Sequence, residues 1–557
     1  MPFRLVVSRL GVFMARQPYK SILIFFFLML AILACLYAGR LCAAENFPKL
    51  SFTSESRANV FAAERGQLTL QLSGTSTCIS AELNLSDEYG RLIESRVIPI
   101  TATQLPIPLQ KKGFYSITAS IECKDDGLTT SKTTAAVIGN LIAESDRLSS
   151  HLGTWSVNGD LTLAHIAGSR WNRQMWRLND YQLDSQGHIV SKPWLRLLDN
   201  RFSWVGTLAF GLPSWLKGRP LLAKADAIFA PEDWGRLEEL VKQFARDVPI
   251  PPVFELYNEP DAHFVPWNLH NFVKFHEVLA RAIKSIHPNT KVIGPCLTDI
   301  RMKDLKKMVD AGILNHLDGL SMHGYVMGTP PEEEFIDRLI ELKSYLRSIG
   351  KDNFPIYITE FGWTSGRWQG KPGTIEIPVD ELTQARYVSR ALILLVAQNV
   401  KAAIHFVQLY KTEKESQAGF SLLNVDQTPK PAYVAYANTA KWLAGVTSPR
   451  WLKLSPTTSL VLFNKGKDTI ATVWNVAGKQ LTFMSQVGVI AEDMMGRNIS
   501  SMATVAVTPS PLFLKFRDEA AENLLLKKEM RVKPGSVLKL GYEKYWVPFP
   551  LVTQYSD

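Results

Sequence analysis

From residue 46 to about 145, apolar and polar positions alternate with a period near two. QLTLQLSG at 67–74, SAELNLSDEYG at 80–90, GFYSITASIECK at 113–124 and SKTTAAVIG at 131–139 read as short strands between turn residues. No helical period interrupts them, so this zone of roughly 100 residues predicts a β-sandwich of immunoglobulin-like topology. After residue 145 the pattern changes, and apolar runs alternate with amphipathic stretches. PPVFELYNEP at 251–260 precedes LHNFVKFHEVLARAIKSIH at 269–287, and KVIGPCLT at 291–298 precedes MKDLKKMVDAGIL at 302–314. LDGLSMHGY at 317–325, PIYITEFGW at 355–363 and KAAIHFVQLY at 401–410 are each followed by a helix-like stretch in the same way. Five consecutive βα units, with about 120 residues upstream for three more, predict a (β/α)₈ barrel over 146–445. SHLGTWS at 150–156, MWRLNDYQ at 175–182 and SWVGTLAFGLP at 203–213 are the expected first three strands. Residues 446–557 return to strand patterns, SLVLFNKG, TIATVWNV, GVIAEDMMG and PSPLFLKF, and predict a C-terminal β-sandwich. The fold class is therefore α/β, a TIM barrel flanked by two β-domains.

Composition changes this picture mainly at the N-terminus. The 557 residues are 46% hydrophobic and 20% charged, which is ordinary globular usage and excludes a disordered or collagen-like chain. The net charge of +10 suggests a polyanionic partner until it is divided along the chain. Arg4, Arg9, Arg16, Lys20 and Arg40 all precede the first acidic residue, Glu45. Between them runs Ser21–Gly39, 19 residues without a charge, nearly long enough to cross a bilayer core. The basic residues before the run favour a cytoplasmic N-terminus over 1–20 and an exported remainder. Two readings of 21–43 stand open: a transmembrane anchor, and a signal peptide cleaved after Cys42-Ala43-Ala44. The rest of the chain is then periplasmic and membrane-held, or secreted. The barrel zone carries only +2 and the C-terminal zone +5, so nothing in the barrel calls for an acidic substrate or nucleic acid. Of the five cysteines, Cys78 and Cys123 fall in two strand-like stretches of the first β-domain, where export allows a disulfide or two buried thiols.

Two carboxylates sit where barrel chemistry gathers, at the C-terminal ends of strands. Glu259 follows the apolar run PVFEL in Tyr257-Asn258-Glu259-Pro260, and Glu360 follows PIYI in Thr359-Glu360-Phe361-Gly362-Trp363. They are 101 residues apart, about three βα units, which puts them on strands four and seven with both facing one cleft. A charge at the end of a buried strand needs a reason. One protonated and one ionised carboxyl facing each other across a sugar is what glycoside cleavage requires. A carboxyl separation of about 5–5.5 Å would mean retention of configuration, and about 6.5–9.5 Å inversion.

These motifs resemble the clan of retaining glycoside hydrolases that place two glutamates on strands four and seven of a (β/α)₈ barrel. Within it the chain is most similar to the family of β-xylosidases, α-L-iduronidases and exopolysaccharide hydrolases, glycoside hydrolase family 39. Asn258-Glu259-Pro260 matches the acid/base motif, Thr359–Trp363 the nucleophile motif, and His323-Gly324-Tyr325 the motif that ends strand six. The resemblance covers about residues 150–515 and implies Glu259 as acid/base and Glu360 as nucleophile. It implies Asn258 on the sugar 2-hydroxyl and Tyr325 on the nucleophile. An arginine of strand two belongs beside the nucleophile as well, with Arg177 expected and Arg170 the alternative. His323 is either a substrate contact or a structural hydrogen-bonding residue. Strand eight departs from the clan: His405–Tyr410 has no tryptophan, and Gln408 or Tyr410 is expected to replace it.

Eleven of the fourteen tryptophans lie in the barrel zone, and Trp215, Trp267, Trp363 and Trp368 fall near strand ends where sugars stack. Trp363 is the leading candidate. No HExxH, Walker loop, Rossmann glycine pattern or GxSxG elbow occurs, so no metal or cofactor is expected. The expectation is a retaining β-glycoside hydrolase acting on a neutral polysaccharide. A transglycosylase with the same residues and a non-catalytic polysaccharide-binding protein are the alternatives. Contact with exopolysaccharide assembly machinery would follow from the membrane segment.

Overall fold

The computed structural model describes residues 48–516 apart from 76–77, 125–126, 157–158, 192–197, 210–211, 214, 217–230, 264–268, 327, 367–376, 412–414, 478–480, 485–488 and 501–503, together with Met29 and Val537–Leu538. The basic segment 1–20, nearly all of the apolar segment 21–43, Trp267 and Trp368 lie outside the described residues. Among the described residues no helix is long and apolar enough to cross a membrane.

The first zone forms two sheets over one core. Lys49–Thr53, Gly66–Ser73 and Gln104–Leu109 make an antiparallel three-stranded sheet. Val60–Phe61, Gly127–Val137, Gly113–Cys123, Cys78–Ser86 and Leu92–Val97 make a five-stranded one. The period of two does what it predicts: Leu68, Leu70 and Leu72 point inward while Gln67 and Ser73 are exposed. Leu68 and Leu70 join Leu83, Ile107, Ile117 and Ile121 in the shared core. A disulfide joins Cys78 to Cys123 across neighbouring strands.

Eight parallel strands then close into a barrel. In order they are Leu152–Thr154, Trp171–Arg177, Ser203–Ala209, Val253–Glu255, Lys291–Leu297, Gly319–His323, Ile356–Phe361 and Ala402–His405, referred to below as strands one to eight. Helices follow most of them, including the amphipathic Pro231–Asp247, Leu269–Ile286 and Phe335–Ser348 and the largely buried Glu381–Ala397 and Pro431–Leu443. Strand two differs from the expected MWRLNDYQ: it begins four residues earlier, at Trp171. The reason is physical. Asn172, Arg173 and Gln174 are all buried, so the strand reads as polar in sequence although it lies inside the protein. A hairpin of Tyr181–Leu183 with Ile189–Ser191 comes between strands two and three.

The third zone carries a five-stranded antiparallel sheet of Thr447–Ser455, Thr458–Lys465, Asp468–Asn475, Leu512–Phe516 and Val489–Glu492. A smaller sheet joins Thr504–Val507, Leu481–Met484 and Val537–Leu538. Buried polar contacts tie the zones together. The Trp474 indole donates to Glu332 at 2.7 Å, Lys112 of the first zone reaches Glu492 at 2.6 Å, and Arg497 pairs with Glu88.

Candidate active site

Strand two and the C-terminal ends of strands four, six and seven bring one constellation together. Glu259 stands just past strand four with its backbone at φ +45°, a left-handed conformation that a non-glycine residue adopts at a cost. Its N–H donates to the Cys296 carbonyl at 3.0 Å, and Cys296 is itself left-handed at φ +57°. The strand-four loop is pinned further where Asp261 accepts from the Thr298 N–H and hydroxyl, at 3.0 and 2.5 Å. Glu360 belongs to strand seven and is 5% exposed. An oxygen of Glu259 and one of Glu360 lie within 4.8 Å of each other, and a His323 ring nitrogen lies within that distance of both.

The groups around Glu360 are hydrogen-bond donors. The Tyr325 hydroxyl donates to Oε2 at 2.7 Å, and Arg173 Nη1 bonds Oε1. His323 Nδ1 stands 2.8 Å from Glu259 Oε1 and 3.5 Å from Glu360 Oε2. Burial pushes the Glu360 carboxyl above its ordinary value, and the Glu259 charge adds to that push. His323, Arg173 and the Tyr325 hydroxyl pull it the other way. Burial would depress the His323 imidazole, yet the charge of Glu360 and its contacts with Cys296 and Glu259 hold it well above 6.5. The imidazole thus stands between two carboxyls that favour its protonated form. Burial raises the Tyr325 hydroxyl as well, which keeps it a proton donor.

Arg173 is the hub beneath the pair. Besides Glu360, it bonds Glu255 through Nε at 3.0 Å and through Nη2, and Asn258 Oδ1 through Nη2 at 2.8 Å. Its guanidinium sits 5.8 Å from the Trp155 ring centroid. Arg177, expected in this role, lies at the exposed end of strand two, and Arg170 precedes the strand. The corrected register moves the arginine by four residues, two strand repeats along the inward face, from the rim to the barrel interior.

Two other expectations change. Trp363 is 1% exposed, donates to the Thr329 carbonyl at 2.9 Å and packs on Phe361 and Tyr387, so its ring offers no face to a sugar. Gln408 is fully buried and donates to the Asp160 carbonyl at 2.8 Å, holding the loop after strand one. Gln408 therefore offers no platform at strand eight. Phe406 stands there instead, half-buried, with its ring 6.1 Å from Tyr325 and 5.3 Å from Trp155. Tyr410 belongs to the same aromatic group, 5.8 Å from Phe406. Trp215 is half-buried and donates to the Tyr181 carbonyl at 2.9 Å, at the strand two–three hairpin.

Sequence reasoning missed Arg173, Glu255, Trp155, Phe406 and Cys296. Glu255 had the same signal as Glu259, a carboxylate in the apolar run PVFEL. Among the described residues, one set of three metal-competent side chains was found: Glu259, His323 and Glu360. Their short contacts are those of a proton-sharing cluster, with Arg173 already supplying the positive charge.

Residues 233–447 match the family model described as Glycosyl hydrolases family 39, and this span contains both glutamates. Over that span the chain is similar to the family 39 enzymes, and it is a glycosidase. Among solved structures, a family 39 glycoside hydrolase from the gut symbiont Bacteroides cellulosilyticus WH2 is 17% identical. That similarity covers 84% of this chain and all of that one, with a TM-score of 0.63, so the fold extends beyond the barrel of this glycosidase. A monomeric β-xylosidase from Caulobacter crescentus CB15 is 13% identical over 68% of this chain and 98% of its own, at a TM-score of 0.45. The family 39 enzyme from Xanthomonas axonopodis pv. citri is 13% identical over 68% and 96%, at 0.44. None of the curated protein sequences compared with the glycosidase matches it.

Proposed function

We propose that this glycosidase cleaves a β-linked polysaccharide with retention of configuration, by double displacement. The observation that carries this reading is the approach of Glu259 and Glu360 to within 4.8 Å, which fits the close spacing of retaining enzymes rather than the wider gap of inverting ones. Glu360, surrounded by donors, is the nucleophile. Its carboxylate attacks the anomeric carbon, the C–O ester forms, and the glycosidic bond breaks. Glu259 gives the leaving oxygen a proton and then takes one from the water that opens the ester. His323, bonded to Glu259, orients the acid/base and shares its proton.

Asn258 spends its carbonyl oxygen on Arg173, so its NH₂ is the group available to a sugar 2-hydroxyl. Trp155, Phe406 and Tyr410 supply apolar surface for the reacting sugar. The near-neutral barrel zone supports a neutral glycan. The basic N-terminus, the apolar run Ser21–Gly39 and the Cys78–Cys123 disulfide together support an extracytoplasmic catalytic unit held at the membrane or secreted. The first sheet pair fits an immunoglobulin-like sandwich. Converting Glu360→Gln should lower turnover of aryl β-glycosides by several orders of magnitude. Azide should rescue Glu360→Ala and yield the inverted glycosyl azide; undiminished activity in Glu360→Gln would remove the assignment.

A further inference from the structure

We infer that Glu255 is a positioning residue that keeps Arg173 neutralised while Glu360 is esterified, and this rests on the double-displacement reading above. Glu255 ends strand four and is completely buried, as is the Arg173 side chain. Its carboxylate is held from three sides. Arg173 bonds Oε2 through two nitrogens, Thr207 of strand three donates to Oε2 at 2.9 Å, and Thr359 of strand seven donates to Oε1 at 2.7 Å. Thr359 is the residue before Glu360, so Glu255 fixes both the guanidinium and the strand that carries the nucleophile.

One guanidinium therefore serves two buried carboxylates. The nucleophilic step removes one of those charges: Glu360 O⁻ becomes a neutral ester oxygen when it bonds the anomeric carbon, while the proton of Glu259 leaves with the departing oxygen. Without Glu255, the buried Arg173 cation would then have no anionic partner, and an unpaired buried charge is costly. Glu255 stays ionised through both half-reactions, because four donors bind its anionic form. In the resting enzyme it also takes up part of the arginine's charge, which leaves Glu360 more basic and more nucleophilic than a carboxylate facing an undivided cation.

The test is a double-mutant cycle, read by thermal melting of the full chain in detergent at pH 7. Glu360→Gln mimics the esterified nucleophile by making it neutral. Each of Glu255→Gln and Glu360→Gln leaves Arg173 one anion, so the double variant should lose more Tm than the two singles added together. Additive losses would overturn the inference, and this arm needs neither substrate nor a correct nucleophile assignment. The second arm follows hydrolysis of 2,4-dinitrophenyl β-D-xylopyranoside against pH. Glu255→Gln should lower kcat by on the order of 100-fold. It should also move the acidic limb to lower pH, since Arg173 then acts on Glu360 alone. A fall in kcat with an unmoved limb would reduce Glu255 to a structural residue. Should Glu255→Gln not fold, Glu255→Asp keeps the charge, so its limb must stay in place while kcat falls; a shifted limb contradicts the inference. Failure of azide rescue in Glu360→Ala, whose truncated side chain leaves space for the anion, would instead refute the double-displacement reading and leave the stability cycle standing.

Discussion

His323 Nδ1 lies 2.8 Å from Glu259 Oε1, which makes a completely buried imidazole the immediate neighbour of the proposed acid/base. The other ring nitrogen, Nε2, is 3.3 Å from the Cys296 thiol, so both ends of the ring are fixed. Burial pushes that thiol up to about 11, and it remains protonated rather than competing for the imidazole proton.

Replacing His323→Gln removes a cation that lowers Glu360 and a hydrogen bond that orients Glu259. The acidic limb of the kcat/KM profile should therefore move to higher pH. At the optimum kcat/KM should fall by roughly 100-fold or more, as for loss of a group engaged in proton transfer. An unshifted limb would show that the imidazole carries no charge in the working enzyme.

How much of this was legible in the sequence depends on what each side chain touches. The alternation of apolar strands with amphipathic helices predicted the barrel, because burial of parallel strands leaves an unbroken apolar signature. Glu259 and Glu360 stood out for the same reason, as charges interrupting that signature. Arg173 did not, since three consecutive buried polar residues erased the apolar pattern of strand two and shifted its expected position. Trp363 misled in the opposite direction. An aromatic three residues past the nucleophile looks exposed in sequence, but the turn after strand seven carries it back between Phe361 and Tyr387. Glu255 also interrupts an apolar run, but its pairing with Arg173 across 82 residues has no local trace.

The Cys78–Cys123 bond closes a loop with a sequence separation of 45 residues. On the chain-entropy estimate, a bridge over such a loop contributes about 4 kcal/mol by restricting the unfolded chain. Cys78→Ala with Cys123→Ala should lower the Tm of the first β-domain by several degrees while leaving kcat unchanged. A melt insensitive both to this substitution and to reducing agent would show that the bridge adds nothing to stability.

Lys430 is buried, and among the described residues no carboxylate is in hydrogen-bond contact with it. Its ammonium donates to the Ser365 hydroxyl at 2.9 Å and the Gly419 carbonyl at 3.1 Å, which joins the loops that follow strands seven and eight. Burial lowers it from 10.5 to about 8, against a weaker opposing pull from Glu381. The sign follows from linkage. Between those values the unfolded chain holds a proton that the folded chain has released, so this group adds stability as pH rises from about 8 to 10.5. The full span corresponds to about 3 kcal/mol. Urea unfolding should show the wild type gaining on Lys430→Met across that window. Parallel curves for the two proteins would mean that the ammonium keeps its ordinary value.

The most direct measurement is the configuration of the first product. Proton NMR during hydrolysis of a turned-over aryl β-glycoside should show the β-anomer appearing first, with the α-anomer rising only at the rate of mutarotation. Initial appearance of the α-anomer would mean direct attack by water and would contradict double displacement through Glu360.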